Sequence, residues 1–212
     1  MTPDPSVPST REPASLPARE RILRAAERLF YLNGVRATGI DRIIAEAGVT
    51  KVTVYRHFPS KDDLIAVYLD RRHETWIAWF KEALAKARAA QPSAARNAHP
   101  FDPLLQAARE WFEQPGFRGC AFANAVAEVG ATVPTVAGIA ARHKTEVRDA
   151  IATLLPADET ARDMAWAATL ALDGAVANAQ SGIGSAEASL KGLRDLLEAL
   201  ALRARARRGG RG

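Results

Sequence analysis

Between Thr50 and Lys61 the chain carries Lys51, Thr53, Tyr55, Arg56, His57 and Lys61, and no carboxylate stands anywhere from Thr50 to Lys61. These are donor side chains of the kind that bind a phosphodiester backbone. Thr53, Tyr55, His57 and the two lysines can bond phosphate oxygens. Arg56 or Lys51 can reach a guanine edge, and Val52 or Thr53 can touch a thymine methyl. The plainer reading of the same residues is a solvated basic surface. Other chemistries are poorly served. The four histidines, His57, His73, His99 and His143, fall on different segments without metal-ligand spacing. There is no glycine-rich phosphate loop and no nucleophile elbow. We therefore expect no catalytic residues, no metal, no cofactor and no enzyme activity.

The segments around this string must hold it in place. Residues 1–16 contain Pro3, Pro5, Pro8 and Pro13 with little to bury, and are expected to be a disordered lead. From Ala18, Ile22, Ala25, Ala26, Leu29 and Phe30 recur at helical spacing until Asn33-Gly34. Thr38, with Asp41 three residues on, is read as the capping box of a second helix whose stripe is Ile40, Ile43, Ile44 and Ala47. Gly48 breaks it, and Thr50 caps a short third helix ending near Phe58-Pro59. Two short helices joined at a glycine form the layout of a helix-turn-helix, with Ile44, Ala47, Val49 and Val54 pinning the pair. Phe58 is read as a core wedge.

Ser60 and Asp63 open a long fourth helix to about Ala90, and Asp102-Pro103, with Asp102 as cap, a fifth. Further helices are expected from about Cys120, from Pro134, from a cap at Asp158, and from Ser185. No apolar alternation suggests a sheet, so the fold class is all-α with about nine helices. The division expected is a lead at 1–16, a DNA-binding domain at 17–60, an effector-binding and dimerisation domain at 61–202, and a basic disordered tail at 203–212.

Charge supports this division. Residues 17–61 carry a net +5, residues 62–202 a net −4, and the last ten residues another +5 from five arginines. A basic segment beside a mildly acidic body suits docking of a polyanion at one end. Cys120 is the only cysteine, so no internal disulfide forms. With no apolar run long enough for a membrane span, a cytoplasmic location without membrane contact is expected.

The string from Ile22 to Leu64 resembles the TetR/AcrR family of bacterial regulators. The resemblance rests on Ala26, Phe30, Gly34, Thr38, Ile40, Ile43, Ala45, Gly48-Val49-Thr50-Lys51, Thr53-Val54-Tyr55, His57-Phe58, Ser60-Lys61 and Leu64. Val52 departs from it, standing where the family often has glycine. It implies a double-stranded DNA operator as partner, with Thr38, Thr53, Tyr55, His57 and Lys61 at the backbone and Thr50 among the DNA-binding residues. Lys51, Val52 and Arg56 are the implied base readers. Arg36 and Arg42 are read equally as phosphate contacts or solvated surface.

The resemblance also implies a helical body with an effector pocket and a two-fold interface. Phe117 to Asn124 and Leu172 to Ala175 resemble motifs of that body. Small and apolar residues near 158–180 and 186–202, including Ala165, Ala168, Leu172, Leu190, Leu193 and Leu197, suit close packing of helices in a homodimer. Candidates for a small-molecule effector pocket are Trp76, Trp79, Phe80, Trp111, Phe112, Phe117, Cys120, Asn124, His143 and Trp166. The alternative for each is ordinary core. Glu128 and Asp173 are further polar groups able to orient a ligand. A helix N-terminus and Arg118 would favour a Cys120 thiolate; a buried inert thiol is the alternative. The expected function is a dimeric regulator, a repressor released from a palindromic operator by a small apolar or aromatic ligand. The rival is an architectural DNA-binding protein with no effector.

Overall fold

The computed structural model describes residues 16–92, 99–157 and 160–209, with side chains described as far as Arg203. Residues 1–15 of the expected lead, residues 93–98, the cap at Asp158 and residues 210–212 lie outside the described residues. Nine helices and no strand occur among the described residues: α1 Ala18–Asn33, α2 Ile40–Ala47, α3 Lys51–His57, α4 Lys61–Ala90, α5 Asp102–Phe112, α6 Ala121–Val129, α7 Pro134–Ala152, α8 Ala161–Ser181 and α9 Ala186–Gly209.

Two compact units divide the chain. One comprises residues up to Trp76 together with Cys120–His143; the other comprises Ile77–Gly119 and Lys144–Gly212. The units cut through α4 and α7, each of which contributes residues to both.

In the first unit, Ile22, Ala26, Leu29 and Phe30 of α1 are buried, as their spacing requires. α1 stops where Gly34 takes φ 89° and its N–H bonds the Phe30 carbonyl at 2.9 Å. The body of α2 turns Ile43 and Ala47 inward. Its start differs from expectation. Gly39 holds the N-cap position and no side chain caps the helix. Thr38 is fully buried, and its hydroxyl lies 2.7 Å from the Gly34 carbonyl and 3.2 Å from the Leu29 carbonyl. Thr38 therefore ties the turn to the end of α1 instead of capping α2.

In the second unit, α5 begins with Phe101 at the N-cap position, so Asp102 is the first helical residue and not the cap. α8 and α9 pack along each other and against α5. They bury Ala165, Ala168, Leu172, Ala175 and Val176 on one helix and Leu190, Leu193, Leu197 and Ala201 on the other. Ser185 caps α9, its Oγ accepting from Ala188 N at 3.1 Å. The expected change to a disordered tail at residue 203 does not occur there, because α9 runs on through Gly209. Alanine and arginine alternate in this stretch, and both are strong helix formers.

Candidate nucleic-acid interface

The short α3 is held from both ends and from behind. Thr50 caps it: its hydroxyl accepts from Thr53 N at 3.3 Å and meets the Thr53 hydroxyl at 2.9 Å. Gly48 adopts the left-handed conformation at φ 61° and ψ 45°, which gives the sharp turn between α2 and α3. Arg21 of α1 donates to the Gly48 carbonyl at 3.2 Å, and Arg28 of α1 pairs with Glu46 of α2. Behind α3, Val54 and Phe58 are buried, with the Arg19 guanidinium 5.4 Å from the centre of the Phe58 ring. Burying two such side chains contributes about 1.5–3 kcal/mol each. Phe58 is thus the wedge that the sequence suggests.

With that face locked, the opposite one is open. Lys51, Val52, Tyr55 and Arg56 are exposed, Val52 at 76% and Tyr55 at 41%. Positions i, i+1, i+4 and i+5 lie on one side of a helix, so the four form a stripe. Thr53 and His57 flank it, half-buried. Arg36 and Arg42 are exposed on neighbouring segments of the same unit. At the start of α4, Ser60 caps through a 3.0 Å bond from Asp63 N and donates to the Asp63 carboxylate at 2.7 Å. Lys61 beside it is half-buried, and its Nζ lies 3.4 Å from the Arg36 carbonyl. Burial lowers its ammonium below the usual lysine pKa, with Asp62 and Glu128 opposing.

Thr38 is the one expected contact that the geometry removes from this surface. Its side chain is sealed, with the hydroxyl turned to two carbonyls of its own unit. Its short, buried turn serves the position of α2.

α1 is bolted to α4 by charge. Arg71 donates to both oxygens of Glu20, at 2.8 and 2.9 Å, and its Nε lies 3.1 Å from Glu27. The buried Arg72 places its guanidinium 3.8 Å from the centre of the Tyr31 ring. The interface-bearing helices are therefore fixed to the first half of α4.

The expected effector residues fall in both units. In the first unit, Trp76 and His143 meet with ring centroids 5.0 Å apart, and Phe122 and His73 join them. Phe122 stacks on His143 at 3.7 Å, and His73 Nδ1 lies 3.2 Å from His143 Nδ1. A spacing of 70 residues between the histidines left no local signal for that pair. Asn124 is half-buried in the same unit. Cys120 is buried and its Sγ accepts from Ala123 N at 3.5 Å as the N-cap of α6, a structural placement for a thiol. In the second unit, Trp111, Phe112 and Phe117 form a cluster with centroids 5.2–6.1 Å apart, and Trp79 lies beside Phe80. Trp166 is 47% exposed on α8, so the ordinary-core alternative does not hold for it. Asp173 pairs with Lys144, and Glu128 accepts from the Arg36 N–H, so both are engaged within the protein. A cleft of about 500 Å³ lies between α5 and α9, walled by charged side chains that include the Arg109–Glu187 pair, and none of the expected aromatics lines it.

This geometry has parallels in known proteins. Residues 22–68 match the family described as bacterial regulatory proteins, tetR family. The HTH-type transcriptional regulator TtgR of Pseudomonas putida is 46% identical over 57 residues, 27% of this chain and 27% of that protein. The HTH-type transcriptional activator FasR of Mycolicibacterium smegmatis is 38% identical over 66 residues, 31% of this chain and 30% of that protein. The chain thus matches about a third or less of the length of these curated relatives. Beyond the head, the crystal structure of a TetR-family transcriptional regulator from Streptomyces coelicolor superposes with a TM-score of 0.71. It is 32% identical and covers 88% of this chain and 89% of that one. The chain belongs to the TetR family of DNA-binding transcriptional regulators. Members of the TetR family are not enzymes, and neither is this chain. No helix among the described residues is long and apolar enough to cross a membrane.

Proposed function

We propose that two copies of this chain bind a palindromic operator in double-stranded DNA, each laying α3 in the major groove. The reading is carried by the exposed stripe of Lys51, Val52, Tyr55 and Arg56, opposite the locked face of Val54 and Phe58. Lys51, Val52 and Arg56 read bases. Thr50, Thr53, Tyr55, His57 and Lys61 contact the backbone. Val52 fills space that a glycine would leave open, so base preference is set in part by its methyl groups.

A homodimer through α8 and α9 is supported by a second, outward apolar face on both helices. Trp166 and Leu170 are exposed one turn apart on α8, in line with exposed Gly174 and Ala177. On α9, Ala188, Gly192, Leu196 and Ala199 follow the same spacing, with Leu202 exposed 56–62% alongside Leu196. Apolar side chains left in water on adjoining helices mark an association surface, and small residues between them allow close helix approach.

We further propose that the regulator is a cytoplasmic repressor released by a small apolar or aromatic ligand. The aromatic residues around His143 support a ligand of that class. α4 carries both Lys61 and Trp76, so a ligand that favours one placement of α4 would change how the DNA-binding residues are presented. Only differential affinity for the two states drives such a shift.

Selection of bound fragments from random DNA tests this function. The expected result is one palindrome preferred over random DNA by about 10³-fold or more. Equal affinity for all sequences would instead favour an architectural protein.

A further inference from the structure

The Gly34–Thr38 turn is gripped from a helix far away in sequence. Glu128, in the last turn of α6, places Oε2 2.7 Å from the Arg36 backbone N–H. The carboxylate is seated over Gly34. A Cβ built on that glycine would lie 2.8 Å from both Glu128 oxygens, closer than side-chain carbons approach. Gly34 thus serves two ends: its φ of 89° ends α1, and its missing side chain makes room for the carboxylate.

The other side of Arg36 is also held. Its carbonyl lies 3.4 Å from Lys61 Nζ, and the Glu128 charge is one of those that favour the Lys61 ammonium. Thr38 closes the same turn through its 2.7 Å bond to the Gly34 carbonyl. The next residue, Gly39, is the uncapped start of α2. So the segment that launches the helix-turn-helix has three ties: to α1 through Thr38, to α4 through Lys61, and to α6 through Glu128.

From this arrangement we infer that Glu128 is a positioning residue for DNA reading: it fixes the Gly34–Thr38 turn, and through it the start of α2 and the placement of Lys61. The inference rests on the DNA-binding function proposed above. It assigns Glu128 no contact with DNA, where a carboxylate would repel phosphate. Its contribution is geometric and needs an acceptor oxygen, not a charge. A hydrogen bond from a backbone N–H to a side-chain oxygen ties a turn in place, and a helix start without a side-chain cap depends more on such external support.

Two measurements on the full chain test it. In the free protein, amide hydrogen exchange at Arg36 reports the bond directly. Glu128→Ala is expected to accelerate that exchange by about tenfold or more, and Glu128→Gln, which keeps an acceptor, by no more than about threefold. On DNA, the ratio of operator to random-sequence affinity is expected to fall by about tenfold in Glu128→Ala and to stay within about threefold of the wild type in Glu128→Gln. The two readouts separate positioning from charge, since removing a negative charge alone raises affinity for all DNA. An unchanged ratio or unchanged Arg36 exchange in Glu128→Ala would overturn the inference, and so would a Glu128→Gln chain as impaired as Glu128→Ala. A wild-type chain with no operator preference would overturn the DNA-binding function itself. That outcome is distinguishable, because failure of the Glu128 role alone leaves the wild-type preference intact.

Discussion

Arg71 of α4 grips Glu20 of α1 with two parallel hydrogen bonds, Nη1 to Oε2 at 2.8 Å and Nη2 to Oε1 at 2.9 Å. Arg24 adds a third contact at 2.6 Å. The bonds from Arg71 lead in holding the Glu20 carboxyl at a pKa of about 2, against an ordinary 4.5. A carboxyl depressed in the folded state stabilises the fold fully above its unfolded pKa and loses that contribution as pH falls through the folded one. Glu20→Gln should therefore lower stability by about 1 kcal/mol at neutral pH, the value being modest because solvent screens the pair. The difference should shrink below pH 4.5 and vanish near pH 2. Neighbouring Glu27 acts in the opposite sense, since burial raises its carboxyl above 4.5 and its ionisation opposes folding above that value. Glu27→Gln should cost less than Glu20→Gln at neutral pH. Denaturation of both variants across pH checks the pair of signs.

Removing the Thr38 hydroxyl should cost stability. Thr38→Val keeps the shape but strips the donor from the Gly34 and Leu29 carbonyls, for a loss of about 1–2 kcal/mol. Thr38→Ser should lose less. Urea midpoints for the two variants decide the matter; a Thr38→Val chain as stable as the wild type would show that these two bonds do not hold the turn.

Lys61→Ala should weaken binding to operator and random DNA alike. The slope of log affinity against log salt should flatten by about one, as for the loss of one phosphate contact. Titrations at several salt concentrations supply the slope.

Val52, exposed at 76%, is free of the core. Val52→Ala should change stability by no more than about 0.5 kcal/mol. Repeating the DNA selection should show relaxed preference at one position of each half-site, by about tenfold or less, with the rest of the operator unchanged.

Trp166→Glu combined with Leu196→Glu should convert the proposed dimer to a monomer in sedimentation, because like charges would replace exposed apolar side chains on the proposed interface. Operator affinity should fall with it, as each half-site then binds alone. Dimers that persist in the double variant would place the interface elsewhere.

The helix-turn-helix was legible because its signals are local. Thr50 caps within three residues, Gly48 turns by its own backbone freedom, and Val54 and Phe58 stand four apart so that one face is buried. Helical periodicity also announced the all-α fold; on α8 and α9 it marked Ala165, Ala168, Leu172, Leu190, Leu193 and Leu197, expected at a two-fold interface, which the structure buries within the chain instead. Where local rules misled, a distant partner had prevailed. Thr38 has the residue type and spacing of a cap, but two carbonyls at the end of α1 claim its hydroxyl. Trp166 counted as an aromatic near other aromatics until the phase of α8 turned it outward.

By itself, the sequence determined which segments are helices, where they turn and which side chains of α3 are opposite its buried face, since each follows from contacts within a few residues. The tertiary structure alone decided that Glu128 sits over Gly34, that His73 meets His143, and that Arg71 grips Glu20. Those pairs are 94, 70 and 51 residues apart. No periodicity spans such distances, because a long-range pair is set by how whole helices pack and not by the propensities of the residues that meet.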